Sequence, residues 1–493
     1  MGDIDRKKLK VAFLSSEVVP YAKTGGLADV SGTLPVELKR AGVGEILVFM
    51  PAYREAKESR NEISKECEIS FDFCGKRTTA GFMRGKLSDY VDIILIENDE
   101  YYDREGLYVT PNGDYPDNAQ RFSFFSLASL YYMKQIELHP HIIHCNDWQT
   151  SLVPIFLKTT FSDDDNFKNT AVCLTVHNLA YQGNFSFEQI SPLNIPPEYL
   201  TEEALKHYDS YSFLKGGLIF STVVNTVSRK YSKEIQTPEF GCGMENILKN
   251  RSKTVFGILN GVDYSQWNPE TDKLIPFNYS AEKLEGKKKC KEVLQKNSKL
   301  DISPEIPLLG IVSRLAYQKG IDILAETIPE IVDAGGQVVV LGTGEARYEE
   351  ALRKRASEFK RAVSVTIGFD NELAHLIEAG CDFFLMPSRY EPCGLNQMYS
   401  LKYGTIPIVR ATGGLDDTII DFDKDMEQGN GFKFEELTPS EFFSAIKRAL
   451  NCYSSSEWNK IIENAMRCDF SWRKSAEEYI KLYKTALAIE GVI

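Results

Sequence analysis

Several things are missing from this sequence, and each absence removes a class of function. No run approaches the roughly 20 apolar residues that a membrane-spanning helix needs. The apolar run after Met1–Lys10 is too short for a secretion signal. Arg6 stands where a myristoylation motif beginning at Gly2 wants Ser or Thr. Cysteine pairs are lacking: the ten cysteines are scattered without a C-x-x-C, and Cys145, Cys173 and Cys381 sit inside apolar runs. That usage predicts reduced thiols in a cytoplasmic protein. Positive charge is in deficit, with a formal net charge of −13 at pH 7. Nucleic acid and anionic membrane are therefore excluded as main partners, and an anionic ligand must find a local basic patch. Metal-ligand spacing is missing as well. His141 and His144 are three apart on a proline-bounded strand and point to opposite faces, and no other His/Cys set has suitable spacing. Metal: none, and no cofactor, is the expectation. There is no low-complexity tract.

What is present is a long chain of ordinary globular composition, 493 residues, too many for one core. Short apolar runs at 10–14, 45–50, 92–97, 142–145, 171–176, 222–227 and 255–259 alternate with helical stretches. Several are almost continuously apolar, as strands buried on both faces of a parallel sheet are. Around 260–286 the character changes to Asn260-Gly261-Val262-Asp263 and Asn268-Pro269-Glu270, a crossing segment. A second series follows at 307–313, 337–341, 363–367, 382–387 and 405–410. The pattern predicts an α/β protein of two doubly wound Rossmann-like domains, 1–259 and 260–470. From Ser471 an amphipathic helix with Ala476, Tyr479, Ile480, Tyr483 and Leu487 on one face is expected to cross back onto the first domain (471–493). The polar, aromatic stretch 99–121, which contains Pro111-Asn112-Gly113-Asp114, reads as an exposed loop, a lid or a sugar-contacting loop.

The most telling stretch is Lys23-Thr24-Gly25-Gly26-Leu27-Ala28-Asp29-Val30. It lies between the first strand and a helix with Leu34 and Leu38 on one face. Adjacent glycines admit a ligand to the backbone, a helix start offers N–H groups and partial positive charge, and a lysine adds a mobile cation. A glycine turn by itself usually just ends a strand. This one recurs as Thr412-Gly413-Gly414-Leu415-Asp416-Asp417 after another apolar run, which predicts two similar domains facing one ligand. Open α/β sheets bind ligands beyond the carboxyl ends of their strands. There the sequence puts Ser15-Ser16-Glu17, His177-Asn178, Arg314 with Lys319, and Ser388, Arg389 and Glu391.

Arg314 and Lys319 at one strand end suit a diphosphate, whose growing charge must be neutralised on departure; a solvated loop is the plain alternative. Glu391, framed by Pro392 and Gly394, reads as a base, a nucleophile or a sugar-hydroxyl acceptor, or equally as a salt-bridge partner of Arg389. His177 reads as catalytic, as a hydrogen-bond donor, or as a capped core residue.

At these residues the chain resembles the bacterial glycogen synthases and plant starch synthases over essentially its whole length. K-T-G-G-L-A-D-V at 23–30, H-N-L-A at 177–180, N-G-V-D at 260–263, S-R-L-A-Y-Q-K-G at 313–320, E-P-C-G-L at 391–395 and T-G-G-L at 412–415 all match. Many retaining glycosyltransferases of related fold carry a second Glu eight residues after the first; Tyr399 occupies that position, as in this family. The resemblance implies a GT-B fold, two Rossmann-like domains facing a deep cleft. It implies retaining α-1,4-glucosyl transfer from ADP-glucose to the nonreducing end of a glucan such as glycogen or a maltodextrin primer. Carried onto this chain, the catalytic set is Lys23, His177, Arg314, Lys319 and Glu391. Donor binding falls to Glu17, Gly25, Gly26, Asp29, Asn178, Asn260, Cys393, Gly394, Leu395, Thr412, Gly413 and Gly414, and the acceptor side to Asp147 and Tyr101. Two positions depart from the family: Asn396 where Thr is common and Asp416 where Ala is usual. A non-catalytic glucan binder would not need Lys23, Arg314, Lys319 and Glu391 together, and a phosphorolytic enzyme would need a pyridoxal-phosphate lysine site that nothing here suggests.

Overall fold

A computed structural model describes residues 5–59, 62–110 and 113–493. Gly2 of the N-terminus and Pro111-Asn112 of the 99–121 stretch lie outside the described residues. The chain forms two units. The first comprises the residues up to Val227, then Ser232–Gly261 and Trp472–Ile493; the second comprises Ser228–Tyr231 and Val262–Ser471.

The first unit is built on a nine-stranded sheet of β1 (Lys10–Leu14), β2 (Glu45–Pro51), β3 (Ile63–Phe73), β4 (Lys76–Ser88), β5 (Val91–Glu97), β6 (Ile142–Asn146), β7 (Ala171–Val176), β8 (Val223–Thr226) and β9 (Val255–Gly257). Their order is β9-β8-β7-β6-β1-β2-β5-β4-β3, parallel from β9 through β5. The central strands β6 and β7 are buried along their whole length, which explains their unbroken apolar runs. β3 and β4 form an antiparallel hairpin at one edge. Its turn residues Cys74 and Gly75 both have positive φ (50° and 72°), the geometry of the turn that matches strand twist. The list of strands expected from the sequence has no counterpart for this hairpin. In β3 buried Phe71 and Phe73 come only at the end, after a half-exposed, charge-rich start that shows no apolar run.

Helix α1 (Gly26–Arg40) follows the first glycine turn, and α2 (Asn118–Gln135) begins within the last residues of the 99–121 stretch. A C-terminal helix (Trp472–Ile489) packs in this first unit. Its Tyr483 hydroxyl bonds Nδ1 of His144 on β6 at 2.7 Å, and its Tyr479 hydroxyl accepts from Asn225 on β8 at 3.1 Å.

The second unit holds a six-stranded, all-parallel sheet: β10 (Leu308–Val312), β11 (Gln337–Gly342), β12 (Val363–Ile367), β13 (Phe383–Met386), β14 (Ile406–Arg410) and β15 (Phe432–Phe434). The order is β12-β11-β10-β13-β14-β15. Strand order reverses at β10, the place where doubly wound sheets open a crevice. Helix α3 (Asn396–Tyr403) and the single-turn α4 (Gly413–Thr418) flank that edge. No helix among the described residues is long and apolar enough to cross a membrane.

Candidate active site

In the first unit, β1 hands the chain to Ser15, Ser16 and Glu17, all buried. The Glu17 carboxylate sits beneath the glycine turn. It accepts the N–H groups of Thr24 (2.6 Å) and Gly25 (3.0 Å) and the Thr24 hydroxyl (2.7 Å). Above it, Lys23 is exposed, its Nζ 2.7 Å from Asp29 in the first turn of α1. Gly25 caps α1 with no side-chain hydrogen bond. A Cβ built on Gly25 or Gly26 meets nothing within 4 Å, and neither residue has a positive φ. No internal packing or backbone strain requires glycine there, and the helix start is left open on a side suited to an anion.

Beside β6 and β7 lies a second cluster of the same unit. Asp147 has φ 55°, an unusual conformation for a residue with a side chain, and turns its carboxylate back to accept the N–H of His177 at 2.7 Å. The N–H of Asn178 reaches the same carboxylate. Loss of surrounding water raises the Asp147 pKa to about 7 against these hydrogen bonds, and the charge of Glu17 pushes the same way. Asn146 gives its amide N–H to the Leu14 carbonyl, so its own carbonyl faces His177 Nε2 at 2.9 Å. The imidazole therefore donates from Nε2 and keeps Nδ1 as a lone pair. Burial lowers the His177 pKa to about 3, so the ring is neutral at physiological pH. Asn260 is buried, and its Oδ1 has no partner among the described residues. Tyr101, assigned to the acceptor side, is only 5% exposed and packs against Phe73 and Phe124.

In the second unit, Lys319 and Glu391 meet. Nζ lies 2.5 Å from Oε2, with both side chains largely sheltered, and Ser388 Oγ donates to the same oxygen at 3.2 Å. Arg389, the partner left open for Glu391, instead clasps Asp322 through its two terminal guanidinium nitrogens (2.8 and 2.5 Å). The loop carrying Lys319 is stitched to the Glu391 loop by Arg389 N–H to Gln318 O (2.8 Å) and Gln318 Nε2 to Tyr390 O (3.1 Å). Arg314 is exposed, and among the described residues its guanidinium has no hydrogen bond or ion pair.

Cys393 is buried, Gly394 has φ 71°, and Leu395 caps α3. Thr412 caps α4, and the Gly414 N–H donates to Glu391 O at 3.0 Å. Asn396 gives its amide to the Val312 carbonyl at the end of β10 (2.7 Å). Asp416 is held by Lys433 (2.7 Å) and Lys230 (3.3 Å). Tyr399 stacks on Trp267, ring centroids 4.1 Å apart, and so fills its place by packing. At the carboxyl edge beyond β12, Phe369 is 92% exposed; no spacing in the sequence marks it. No three His, Cys, Asp or Glu side chains among the described residues group as metal ligands.

Comparison with known proteins bears directly on this arrangement. Residues 10–250 match the family of starch synthase catalytic domains, and residues 294–467 match glycosyl transferases group 1. A glycogen synthase from Syntrophotalea carbinolica is 43% identical over 98% of this chain and 99% of its own length. This chain belongs to the glycogen and starch synthase family. A second glycogen synthase, from Thermotoga petrophila, is 44% identical over 98% of this chain and all of its own. The solved catalytic domain of starch synthase IV from Arabidopsis thaliana, bound to ADP and acarbose, is similar with a TM-score of 0.89 at 32% identity. It covers 97% of this chain and 99% of that one. The chain is thus a glycosyltransferase of the glycogen and starch synthase type, with the two-domain α/β fold of the GT-B class.

Proposed function

We propose that this synthase transfers glucose from ADP-glucose to the nonreducing end of an α-1,4-glucan, with retention and without a metal. The observation that carries the reading is the set of cations at the end of β10: Lys319 held against Glu391, and Arg314 with charge to spare on an acidic protein. A departing diphosphate needs such charge in place before the bond breaks. The open start of α1 with Lys23 supplies the same kind of field from the first unit.

In this mechanism the acceptor hydroxyl attacks the anomeric carbon on the face that the diphosphate leaves. The C–O bond to the β-phosphate breaks, and a phosphate oxygen takes the hydroxyl proton. Retention by double displacement would need a free carboxylate close to the sugar. Glu391 is engaged by Lys319 and Ser388, an arrangement suited to gripping a glucose hydroxyl rather than attacking carbon. His177, neutral and donating from Nε2, is backed by Asp147 on its own N–H. That clamp fixes the peptide whose carbonyl would face positive charge at the anomeric carbon. Phe369 offers a flat apolar face to the nucleobase, an interaction worth about 1–3 kcal/mol per base.

The test is separate incubation with ADP-glucose, UDP-glucose or glucose 1-phosphate and a short maltodextrin, reading chain length and released nucleotide. Chain growth with release of ADP is expected. Growth with glucose 1-phosphate alone would replace this reading by phosphorolysis, and no growth would leave a binding protein.

A further inference from the structure

Within the 99–121 stretch, Tyr108 reaches Glu17 beneath the glycine turn. Tyr108 is half-buried, with its ring beside Phe122. Its hydroxyl donates to Glu17 Oε1 at 2.7 Å and lies 2.8 Å from Ser16 Oγ. The backbone around it is tied down: Asn118 Nδ2 and the Tyr115 N–H both donate to the Tyr108 carbonyl (3.0 and 3.1 Å). Glu17 thus takes four hydrogen bonds, two from hydroxyls and two from the backbone N–H groups of Thr24 and Gly25, and has no cation partner among the described residues. A buried carboxylate in this state is held by its donors alone.

The consequence concerns Thr24. Threonine hydroxyls beside a helix start accept N–H groups of the first turn. Here the Thr24 hydroxyl is spent as a donor to Glu17. The first turn of α1 takes no side-chain cap, and a Cβ at Gly25 or Gly26 would meet no described atom within 4 Å.

We propose that Glu17 and Tyr108 are positioning residues for donor binding: together they pin Thr24 and Gly25 downward and so keep the start of α1 open for the diphosphate. This rests on the function proposed above and adds to it a role for Tyr108, as a strut under the donor loop. Without the strut, Thr24 turns to the helix start and occupies the anion's place. The loss appears in donor affinity rather than in the chemical step.

The test uses the full chain and ADP itself as the probe, with binding measured by calorimetry alongside kcat and KM. Glu17→Ala removes the acceptor for both N–H groups, and a lost charge-assisted hydrogen bond corresponds to weakening of ADP binding by about 10-fold or more. Tyr108→Phe keeps the ring and removes one donor; weakening of about 3- to 10-fold is expected, with kcat within about 2-fold of wild type. Glu17→Gln keeps one oxygen for the backbone N–H groups and lets the two hydroxyls reverse, so it should rescue most of the affinity. Amide exchange at Thr24 and Gly25, measured without nucleotide, should quicken in Glu17→Ala and remain slow in Glu17→Gln. Variants that lose melting temperature but bind ADP like wild type overturn the proposal and leave the network a purely structural one. A wild-type chain that binds no ADP overturns the function reading itself, a different result from the first.

Discussion

The two T-G-G-L turns share a sequence and differ in what their glycines are for. At Gly25 and Gly26 an added Cβ meets open space. At Gly413 and Gly414 it would stand 2.0 Å from the carbonyl oxygens of Glu391 and Cys393, and Gly413 has φ 46°. The first turn is satisfied from below by a side chain, Glu17; the second is satisfied by the backbone of the Glu391 loop. Even the matching aspartates diverge. Asp29 holds the Lys23 ammonium, whereas Asp417 accepts the backbone N–H of Lys230. A repeated motif marks a repeated fold position, and its neighbours decide whether it faces ligand or locks a loop.

The sharpest way to break this contrast is alanine in each turn. Gly413→Ala and Gly414→Ala force backbone apart, and Gly413→Ala adds left-handed strain, so each should cost on the order of 3 kcal/mol of stability or more. Gly25→Ala and Gly26→Ala should change stability by less than about 1 kcal/mol, with Gly26→Ala tending to stabilise α1, yet weaken donor binding. Thermal unfolding and donor KM on the four variants decide it; equal stability losses in both turns would erase the distinction.

The cations beside the turns sharpen it next. Lys319 is sheltered against Glu391, while Lys23 is exposed beside Asp29. Lys319→Ala should lower kcat/KM by about 3–4 kcal/mol, the scale for losing one positioned charge-stabilising group. Lys23→Ala should cost less, because water competes for its charge. Steady-state kinetics with saturating glucan give both numbers, and a reversed order would shift the weight of the site to the first unit.

Much of this was legible beforehand because parallel strands buried on both faces announce themselves as apolar runs, and because β10 and its loop carry their cations in one short stretch. The charge-rich hairpin β3–β4 announces nothing of the kind. The partnership of Glu391 with Lys319 rather than Arg389 also depends on tertiary proximity, since Arg389 is closer in sequence but is drawn to Asp322. Tyr108 lies 91 residues from Glu17 and has no spacing to reveal the contact. Asp147 was expected on the acceptor side, but its left-handed backbone and its grip on His177 belong to the fold.

That grip has a pH signature in the first unit. The folded-state pKa of Asp147, about 7, lies above the ordinary carboxylate value near 3.9. The native state therefore keeps a proton that the unfolded state has lost. The associated stability is full below about pH 4 and disappears as pH rises through 7. Asp147→Asn has no proton to lose there and keeps a carbonyl for the His177 N–H. The stability of wild type relative to this variant should fall between pH 4 and 8 and then level, as urea unfolding would show. A flat difference would mean that the two N–H donors outweigh desolvation.

The smallest expected effect returns to the second turn, at Asp416, whose counterpart in the first turn is buried Ala28. Its carboxylate bridges Lys433 and Lys230, and these ion pairs hold its pKa down against the cost of burial. Lys230 belongs to Ser228–Tyr231, the short segment that groups with the second unit, and Asp417 holds the backbone of the same residue. Asp416→Ala leaves that backbone contact and frees two partly exposed lysines, so the loss should be about 1 kcal/mol, shrinking in high salt. Donor KM should stay unchanged, because the bridge ties down a segment beside the turn and leaves the Gly414 N–H on Glu391 intact. A raised donor KM without a stability loss would instead bring Asp416 to the ligand and make the second turn resemble the first.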